Sequence, residues 1–299
     1  MVRCTGYADA AVASEDLDFS ANEPMQIWLG TSGYSYPDWV GKFYPPGTSR
    51  GRMLSYYCRQ FPIVELNFTF YRPPTPEMLI KIAEHTPSDF QFVVKLPRSL
   101  SHEQKTDDLP LFRESAEALR SRGQLKGLLC QLPQRTHYAP QNLAWIERLS
   151  SDLGSFSLAV EFRHRSWFDL EVTRWLADRK LDVVSVDAPE LPDLFPSGPV
   201  RSGPNLYVRF HSRNRRNWYQ SDKERYDYRF SDNELLEWID HLRDNAADSE
   251  KALVLFNNCH NGSAAVNAVR MKELFASAAP ELKLVEPPAD RGEQGLLFE

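Results

Sequence analysis

The stretch SLAVEFR at residues 157–163 decides the predicted fold, because large apolar residues alternate in it with small or charged ones. Residues two apart share one face of a strand, so the leucine, valine and phenylalanine form an apolar face. Glu161 and Arg163 lie on the opposite face, at its carboxyl end. An outer strand face that packs on helices must be apolar, so we expect Glu161 and Arg163 to point into a closed barrel.

Strands and helices alternate from residue 27 onward, which extends this prediction to the whole chain. The predicted helices lie at residues 52–61, 75–85, 109–122, 141–150, 170–179, 232–245 and 263–276. The eight predicted strands lie at residues 27–32, 63–70, 90–96, 125–132, 156–163, 181–188, 206–211 and 252–258. This rhythm predicts an α/β fold, a single (β/α)8 barrel of the TIM type. A doubly wound sheet is the alternative, but none of the eight strands carries the protection that an edge strand needs.

Length and composition bound the class of protein. The chain has 299 residues, of which 42% are hydrophobic, and a formal net charge of -6. These values exclude a disordered chain and a uniformly basic nucleic-acid coat protein. No apolar run approaches the roughly 20 residues of a membrane helix, which predicts a soluble protein without a membrane partner. Four cysteines without a Cys-x-x-Cys pair, and no signal peptide, indicate the cytoplasm.

We expect one barrel domain with an extension at each end. The barrel is predicted at residues 25–284, a mobile N-terminal extension at residues 1–24 and a mobile tail at residues 285–299. The tail is polar and contains proline and glycine until it ends in QGLLF. Gln294, Leu297 and Phe298 resemble the short peptide with which bacterial replication and repair proteins bind the DNA sliding clamp. The alternative is that Leu297 and Phe298 fold back onto the barrel.

Polar residues gather at the carboxyl ends of the predicted strands, where barrel enzymes place their chemistry. The same alternation assigns Phe68, Phe70, Val184 and Val186 to the outer faces of their strands. The polar residues expected at the mouth are Glu65, Asn67, Lys95, Gln131, Glu161, Arg163, Asp187, Arg209, His211 and Asn257. Such groups are costly to desolvate, which indicates a ligand or a reaction. A salt-bridge network that only plugs the barrel is the alternative.

Two loops beside this mouth indicate a phosphate site. The loop HSRNRRNWY at residues 211–219 carries three arginines and two aromatic residues, among them Arg213 and Tyr219. Arginine pairs bidentately with phosphate, and aromatic rings stack on bases. The loop NNCHNGS at residues 257–263, which includes Asn258, leads into a helix whose first N–H groups can face an anion. The alternative for the arginines is a solvated loop.

The sequence leaves the cofactor open. Glu65, Glu161, Asp187 and His211 have the chemistry to ligate a divalent metal ion, but multi-zinc sites normally draw on several histidines. Without a metal, Glu65 or Glu161 would act as a base and His211 or His102 as an acid.

Several motifs resemble those of the YecE-like proteins, a family of unknown function. They are GTSGY at residues 30–34 with Trp39, FYP at 43–45, ELNFTFY at 65–71, KLP at 95–97 with His102, QLP at 131–133, EFRH at 161–164 with Trp167, RFH at 209–211 and FNN at 256–258. The resemblance implies a TIM-type barrel and no established reaction. Ser212 departs from the glycine that usually follows the histidine in that family. Barrel-type abasic-site endonucleases and sugar isomerases share the fold, which is an analogy of fold alone.

These patterns together predict a DNA-processing or repair-associated protein that acts on a phosphate-containing substrate and is recruited to the sliding clamp. Phosphodiester hydrolysis is the favoured reaction. The predicted catalytic residues are Glu65, Glu161, Asp187, His102 and His211. The predicted substrate-binding residues are Asn67, Tyr71, Lys95, Gln131, Arg163, Arg209, Arg213, Tyr219, Asn257 and Asn258. An enzyme for a phosphorylated sugar or metabolite, and a non-catalytic scaffold that binds nucleic acid or protein, are the alternatives.

Overall fold

A computed structural model describes residues 24–289 of the protein, with residues 222–223 described by their backbone alone. The predicted clamp-binding residues Gln294, Leu297 and Phe298, and nearly all of the predicted N-terminal extension, lie outside the described residues. In the part that is described, no helix has the length and apolar character needed to cross a membrane.

Eight parallel strands close into a barrel. They are β1 (Gln26–Ser32), β2 (Ile63–Leu66), β3 (Gln91–Lys95), β4 (Leu125–Gln131), β5 (Leu158–Glu161), β6 (Asp182–Asp187), β7 (Asn205–Phe210) and β8 (Lys251–Phe256). Each strand pairs with the next along the chain, and β1 pairs with both β8 and β2, which closes the ring. A short strand, β9 (Lys283–Leu284), pairs with the beginning of β1. The predicted barrel is therefore confirmed, and the doubly wound sheet is not formed.

Helices surround the barrel on the outside. They are α1 (Arg50–Cys58), α2 (Pro76–Glu84), α3 (Arg98–Ser101), α4 (Leu109–Ser121), α5 (Pro140–Leu153), α6 (Leu170–Asp178), α7 (Asp222–Arg225), α8 (Asp232–Asp244) and α9 (Ser263–Ala278). Single turns of 3-10 helix lie at Pro37–Trp39, Phe68–Phe70, Arg165–Trp167, Ala246–Asp248 and His260–Gly262. A proline-rich loop, rather than a helix, connects β6 to β7.

Local signals in the sequence set the helix ends. The hydroxyl of Thr75 accepts a hydrogen bond from the backbone N–H of Met78, which caps the start of α2. Ser231 and Glu234 form a reciprocal capping box at the start of α8. Gly123 follows the end of α4 with a φ of +72°, a conformation that favours glycine.

The register of the strands confirms which residues of β5 face inward. Glu161 is paired with Gln131 of β4, and Ala159 with Asp182 of β6. Partners in a parallel ladder share a face, so all four side chains point into the barrel. Leu158 and Val160 point outward and are buried against the helices.

The predicted strand at residues 63–70 is wrong in its second half. β2 ends at Leu66, and Phe68–Phe70 form a 3-10 turn that crosses the mouth of the barrel. The hydroxyl of Thr69 explains the turn, since it lies 2.9 Å from the carbonyl of Leu66 and 2.6 Å from that of Lys95. Phe68 and Phe70 consequently line the mouth instead of the outer face.

The predicted orientation of β6 is also wrong. Asp187 is paired with Phe210 of β7, and Phe210 packs against Trp238 of the outer helix α8. Asp187 therefore points outward, and Val184 and Val186 point into the barrel. An acid is tolerated in the outer layer because Arg213 and the indole N–H of Trp238 donate hydrogen bonds to its carboxylate.

Candidate ligand-binding site at the carboxyl end of the barrel

A buried ion network forms the floor of the site. Arg209 of β7 donates from Nη2 to Oε1 of Glu65, at 2.6 Å, and from Nη1 to Glu161. Tyr207 lies two residues before Arg209 on the same face of β7. Its hydroxyl donates to the other oxygen of Glu65 at 2.6 Å. All four side chains are buried, and both oxygens of Glu65 accept hydrogen bonds from protein groups.

Glu161 is the centre of this network. Arg163, two residues beyond the end of β5, forms an ion pair with Oε1 of Glu161. Nε2 of His211 lies 3.2 Å from the same oxygen but outside hydrogen-bond geometry. Burial by itself raises the pKa of Glu161, but the charges of Arg163 and Arg209 outweigh burial and hold that pKa well below its ordinary value. Glu161 is therefore ionised at neutral pH.

His211 is neutral at the same pH. Burial, followed by the charge of Arg163, lowers the pKa of His211 to about 3. The side-chain amide of Asn257 lies 3.0 Å from Nδ1 of His211 and orients the ring. His211 consequently adds no charge to the floor.

Lys95 lies above the floor, at the end of β3. Its ammonium donates to Oε1 of Gln131 at 3.1 Å and lies 4.5 Å from the centre of the Phe70 ring. Burial, followed by the charge of Arg209, lowers the pKa of Lys95 to about 8. The site therefore holds a lysine that exchanges its proton close to physiological pH.

A cavity of about 990 Å³ opens above these residues. Aromatic side chains form much of its wall, and Arg225 lies over the rings of Trp218 and Tyr226. The lining residues include Tyr34, Tyr36, Asp38, Asn67, Phe68, Phe70, Tyr71, Lys95, His102, Gln131, Arg135, Arg163, Trp218, Arg225, Tyr226, Asn257 and His260. Tyr71 is 83% exposed and stands at the entrance, so the cavity is open to solvent.

His102 lies on one side of this cavity, with its ring against the edge of Phe70. Burial, followed by the charge of Lys95, lowers the pKa of His102 to about 4. A neutral imidazole can accept a proton from a bound molecule. Its Nε2 atom is buried without a hydrogen-bond partner among the described residues.

The structure divides the predicted site residues into three groups. Those that line the cavity are Asn67, Tyr71, Lys95, His102, Gln131, Arg163 and Asn257. Those in the buried network below it are Glu65, Glu161, Arg209 and His211. Those outside the lining are Asp187, Arg213, Tyr219 and Asn258.

The third group corrects the interpretation of the two loops. Arg213 pairs with Asp187 and Glu237 in the outer layer, so it does not face the cavity. Asn258 is buried and donates to the carbonyl of Tyr228 and to Asn267, which is a structural role. Tyr219 is exposed and bonded to Gln134 at the rim. The arginine-rich loop contributes Trp218 to the lining instead of its arginines.

The four candidate metal ligands do not converge. Asp187 points outward, whereas both oxygens of Glu65 accept hydrogen bonds from Arg209 and Tyr207. Within residues 24–289, no group of three or more histidines, cysteines, aspartates or glutamates is arranged to hold a metal ion.

Several lining residues are not predicted by the sequence pattern. Strand alternation places Phe70 on an outer face, and it gives no direction for Tyr36, Arg135 and Tyr226 on loops or for Arg225 in α7. The one available signal was the density of aromatic residues in the loops, which is typical of a ligand-binding wall.

The family model described as "Protein of unknown function DUF72" matches residues 28–292. The chain belongs to the DUF72 family. The match begins within β1, spans the rest of the barrel, includes every residue of the ion network and confirms the resemblance seen in the sequence motifs.

Curated relatives agree with this assignment. UPF0759 protein YunF of Bacillus subtilis is 30% identical over 269 residues, which cover 83% of this chain and 94% of YunF. UPF0759 protein YecE of Escherichia coli K12 is 32% identical over 174 residues, which cover 54% of this chain and 59% of YecE.

Solved DUF72 structures share the barrel. The crystal structure of a DUF72 family protein from Thermotoga maritima is 36% identical and has a TM-score of 0.79. That match covers 84% of this chain and all of the other chain. A DUF72 family protein from Enterococcus faecalis, 24% identical with a TM-score of 0.74, covers 84% of this chain and 95% of its own, and shows the fold alone.

Proposed function

We propose that the protein is an enzyme that binds a phosphorylated ligand at the mouth of the barrel and breaks a phosphate ester bond, with phosphodiester hydrolysis in DNA as the favoured reaction. One observation carries the proposal. The cations Lys95, Arg163 and Arg209 outnumber the carboxylates Glu65 and Glu161, which leaves one positive charge uncompensated beneath the cavity. The single negative charge of a phosphodiester group would balance that charge.

The network assigns different roles to these groups. Glu65 and Glu161 hold Arg209 and Arg163 in place, since their oxygens are engaged within the protein. Lys95 and Arg163 line the cavity and are the cations that would contact phosphate. His102, kept neutral at neutral pH, would accept the proton of an attacking water molecule.

The shape of the mouth supports a nucleic-acid substrate over a small metabolite. A small-molecule enzyme predicts a narrow, closed mouth, whereas this cavity is open to solvent beside the exposed Tyr71. Tyr36, Phe70 and Tyr71 supply ring surfaces on its wall. Aromatic rings of this kind stack on bases of single-stranded nucleic acid or on a base turned out of a duplex.

The proposal includes a partner and a location. We infer from the QGLLF sequence of the tail that the sliding clamp recruits the protein to DNA in the cytoplasm. Recruitment would help a protein with a net charge of -6, because bulk electrostatic attraction to DNA is weak for such a chain.

Binding of a short fluorescent single-stranded oligonucleotide, followed by anisotropy, tests the site. Arg163→Gln and Arg225→Gln are expected to weaken binding about tenfold each, or about 1.4 kcal/mol. Arg270→Gln is the matched control, because Arg270 is exposed on α9 and carries the same charge. Equal affinities for all three variants would place the bound strand elsewhere and contradict the proposal.

Cleavage is measured separately, with the same oligonucleotide on a sequencing gel and with and without divalent ions. Products that disappear with Arg163→Gln support the hydrolase. Binding without any cleavage favours the scaffold, and displacement by ribose 5-phosphate without oligonucleotide binding favours the small-metabolite enzyme.

A further inference from the structure

Lys95 differs from the other cations of the network because it has no carboxylate partner. Arg163 and Arg209 both pair with Glu161. Among the described residues, the ammonium of Lys95 contacts the neutral amide of Gln131 and the ring of Phe70 instead. A half-buried ammonium in such surroundings is costly, and lysines kept in this state commonly act as neutral amines.

The two arginines explain how this state is maintained. Both carboxylates that could neutralise Lys95 are already engaged, Glu65 by Arg209 and Glu161 by Arg163 and Arg209. The pKa of Lys95, lowered to about 8 by burial and then by the charge of Arg209, leaves roughly one tenth of the side chain unprotonated at pH 7. An unprotonated amine is a nucleophile toward a carbonyl carbon.

The position of Lys95 makes that nucleophile accessible. It lies at the end of β3 and lines the open cavity together with Arg163 and His102. A cation for phosphate and a neutral imidazole for a proton therefore border the same space as the amine. Barrel strand ends are where side chains can reach a bound molecule.

We propose that Lys95 forms an imine with a phosphorylated aldehyde or ketone, such as an opened sugar ring that carries phosphate. This inference rests on the proposed function, in which the mouth takes a phosphorylated ligand. The nitrogen lone pair attacks the carbonyl carbon, a C–N bond forms, and the carbonyl oxygen leaves as water with the two hydrogens of the amine. The product is a C=N bond, so atoms and electrons balance without an oxidant or reductant.

An imine at this position would allow a phosphate ester to break by elimination. The C=N group acidifies the neighbouring carbon, and neutral His102 accepts its proton. The electrons of that C–H bond form a C=C bond, while the C–O bond to phosphate one carbon further breaks and the phosphate oxygen keeps its electron pair. The substrate class is therefore a phosphate ester placed β to a carbonyl carbon.

Lys126 supplies a matched control within the chain. It also is half-buried, and burial, followed by the charge of Lys251, lowers its pKa to about 8. Lys126 is the second residue of β4, near the opposite end of the barrel, and lies outside the cavity lining. Its ammonium lies over the ring of Trp28. If reactivity depended only on the pKa of the ammonium, Lys126 would react as fast as Lys95.

The test treats the full chain with pyridoxal 5′-phosphate as a reagent, reduces the product with sodium borohydride and maps the labelled peptides by mass spectrometry. We expect at least tenfold more reduced adduct on Lys95 than on Lys126, rising with pH through about 8. Lys95→Arg should remove that adduct, and Lys126→Arg should leave it unchanged. The ratio of adduct on Lys95 to adduct on Lys126 in the wild-type chain tests the inference even if Lys95→Arg fails to fold.

Equal labelling of the two lysines, or no adduct on Lys95, would overturn the inference. Two further probes, pyridoxal without phosphate and inorganic pyrophosphate, distinguish failure of the imine inference from failure of the proposed phosphate site. If pyrophosphate binds but Lys95 gives no adduct, the imine is wrong and the phosphate site stands. If pyridoxal labels Lys95 as fast as its phosphate ester and pyrophosphate does not compete, the imine stands and the phosphate site is wrong.

Discussion

Nη2 of Arg209 donates a hydrogen bond of 2.6 Å to Oε1 of Glu65, a residue 144 positions away in the chain. The bond spans the interior from β7 to β2 and is buried at both ends. Because Arg209 also bonds Glu161 of β5, one guanidinium ties three strands together beneath the cavity. The floor of the site is therefore a structural unit as well as an electrostatic one.

Glu65→Gln should destabilise the fold. The substitution leaves Arg209 buried with one carboxylate instead of two, and losing one partner of a buried ion pair costs about 3 kcal/mol. Urea unfolding measures the free energy of unfolding. Glu147→Gln, which removes the exposed partner of Arg179, is the control and should cost less than about 1 kcal/mol. Equal losses in the two variants would show that the buried network contributes no special stability.

Asp187→Asn should affect stability and spare ligand binding. Asp187 accepts hydrogen bonds from Arg213 and Trp238 in the outer layer, and weakening them should lower the free energy of unfolding by about 2 kcal/mol. The affinity for the fluorescent oligonucleotide should change less than threefold, or about 0.6 kcal/mol. A tenfold loss of affinity with unchanged stability would instead place Asp187 at the site.

Asp182 should make stability depend on pH. Burial raises the pKa of Asp182 from 3.8 to about 6, so the folded state disfavours its ionised form. The stability of the wild-type chain relative to Asp182→Asn is thus greatest below pH 3.8 and is lost as the pH rises through about 6. We expect the free energy of unfolding of Asp182→Asn, relative to that of the wild type, to rise by about 2 to 3 kcal/mol between about pH 4 and pH 7.

Urea unfolding of the wild type and of Asp182→Asn at several pH values measures this difference in free energy. Taking the difference removes the contribution of the other titrating groups. Asn205 donates to Asp182 at 2.7 Å, and an asparagine oxygen can accept the same bond. A difference that stays constant with pH would contradict the raised pKa.

Deletion of residues 293–299 should abolish capture by immobilised sliding clamp. The leucine and phenylalanine of the tail supply the apolar contacts of the proposed peptide, so Leu297→Ala with Phe298→Ala should act like the deletion. Glu293→Gln, outside the motif, is the matched control. Intact clamp binding after the deletion would refute recruitment, and a lower unfolding temperature would indicate that the tail folds back onto the barrel.

Periodicity alone predicted much of the fold and part of the site. The alternation in residues 157–163 placed Glu161 and Arg163 inside the barrel, and the same rule placed Lys95, Gln131 and Arg209 correctly. It succeeded because the outer faces of these strands carry large apolar residues that only the helix layer can bury.

The sequence by itself determined the order of strands and helices and most of the polar residues at the carboxyl end of the barrel. It could not determine which face of β6 is inside, because a period of two defines two faces without saying which one meets the helices. Trp238 and Arg213, distant in the chain, satisfy Asp187 and turn that face outward. The tertiary structure also decided that Lys95 lacks a carboxylate partner, since only the folded barrel brings Arg209 to both Glu65 and Glu161.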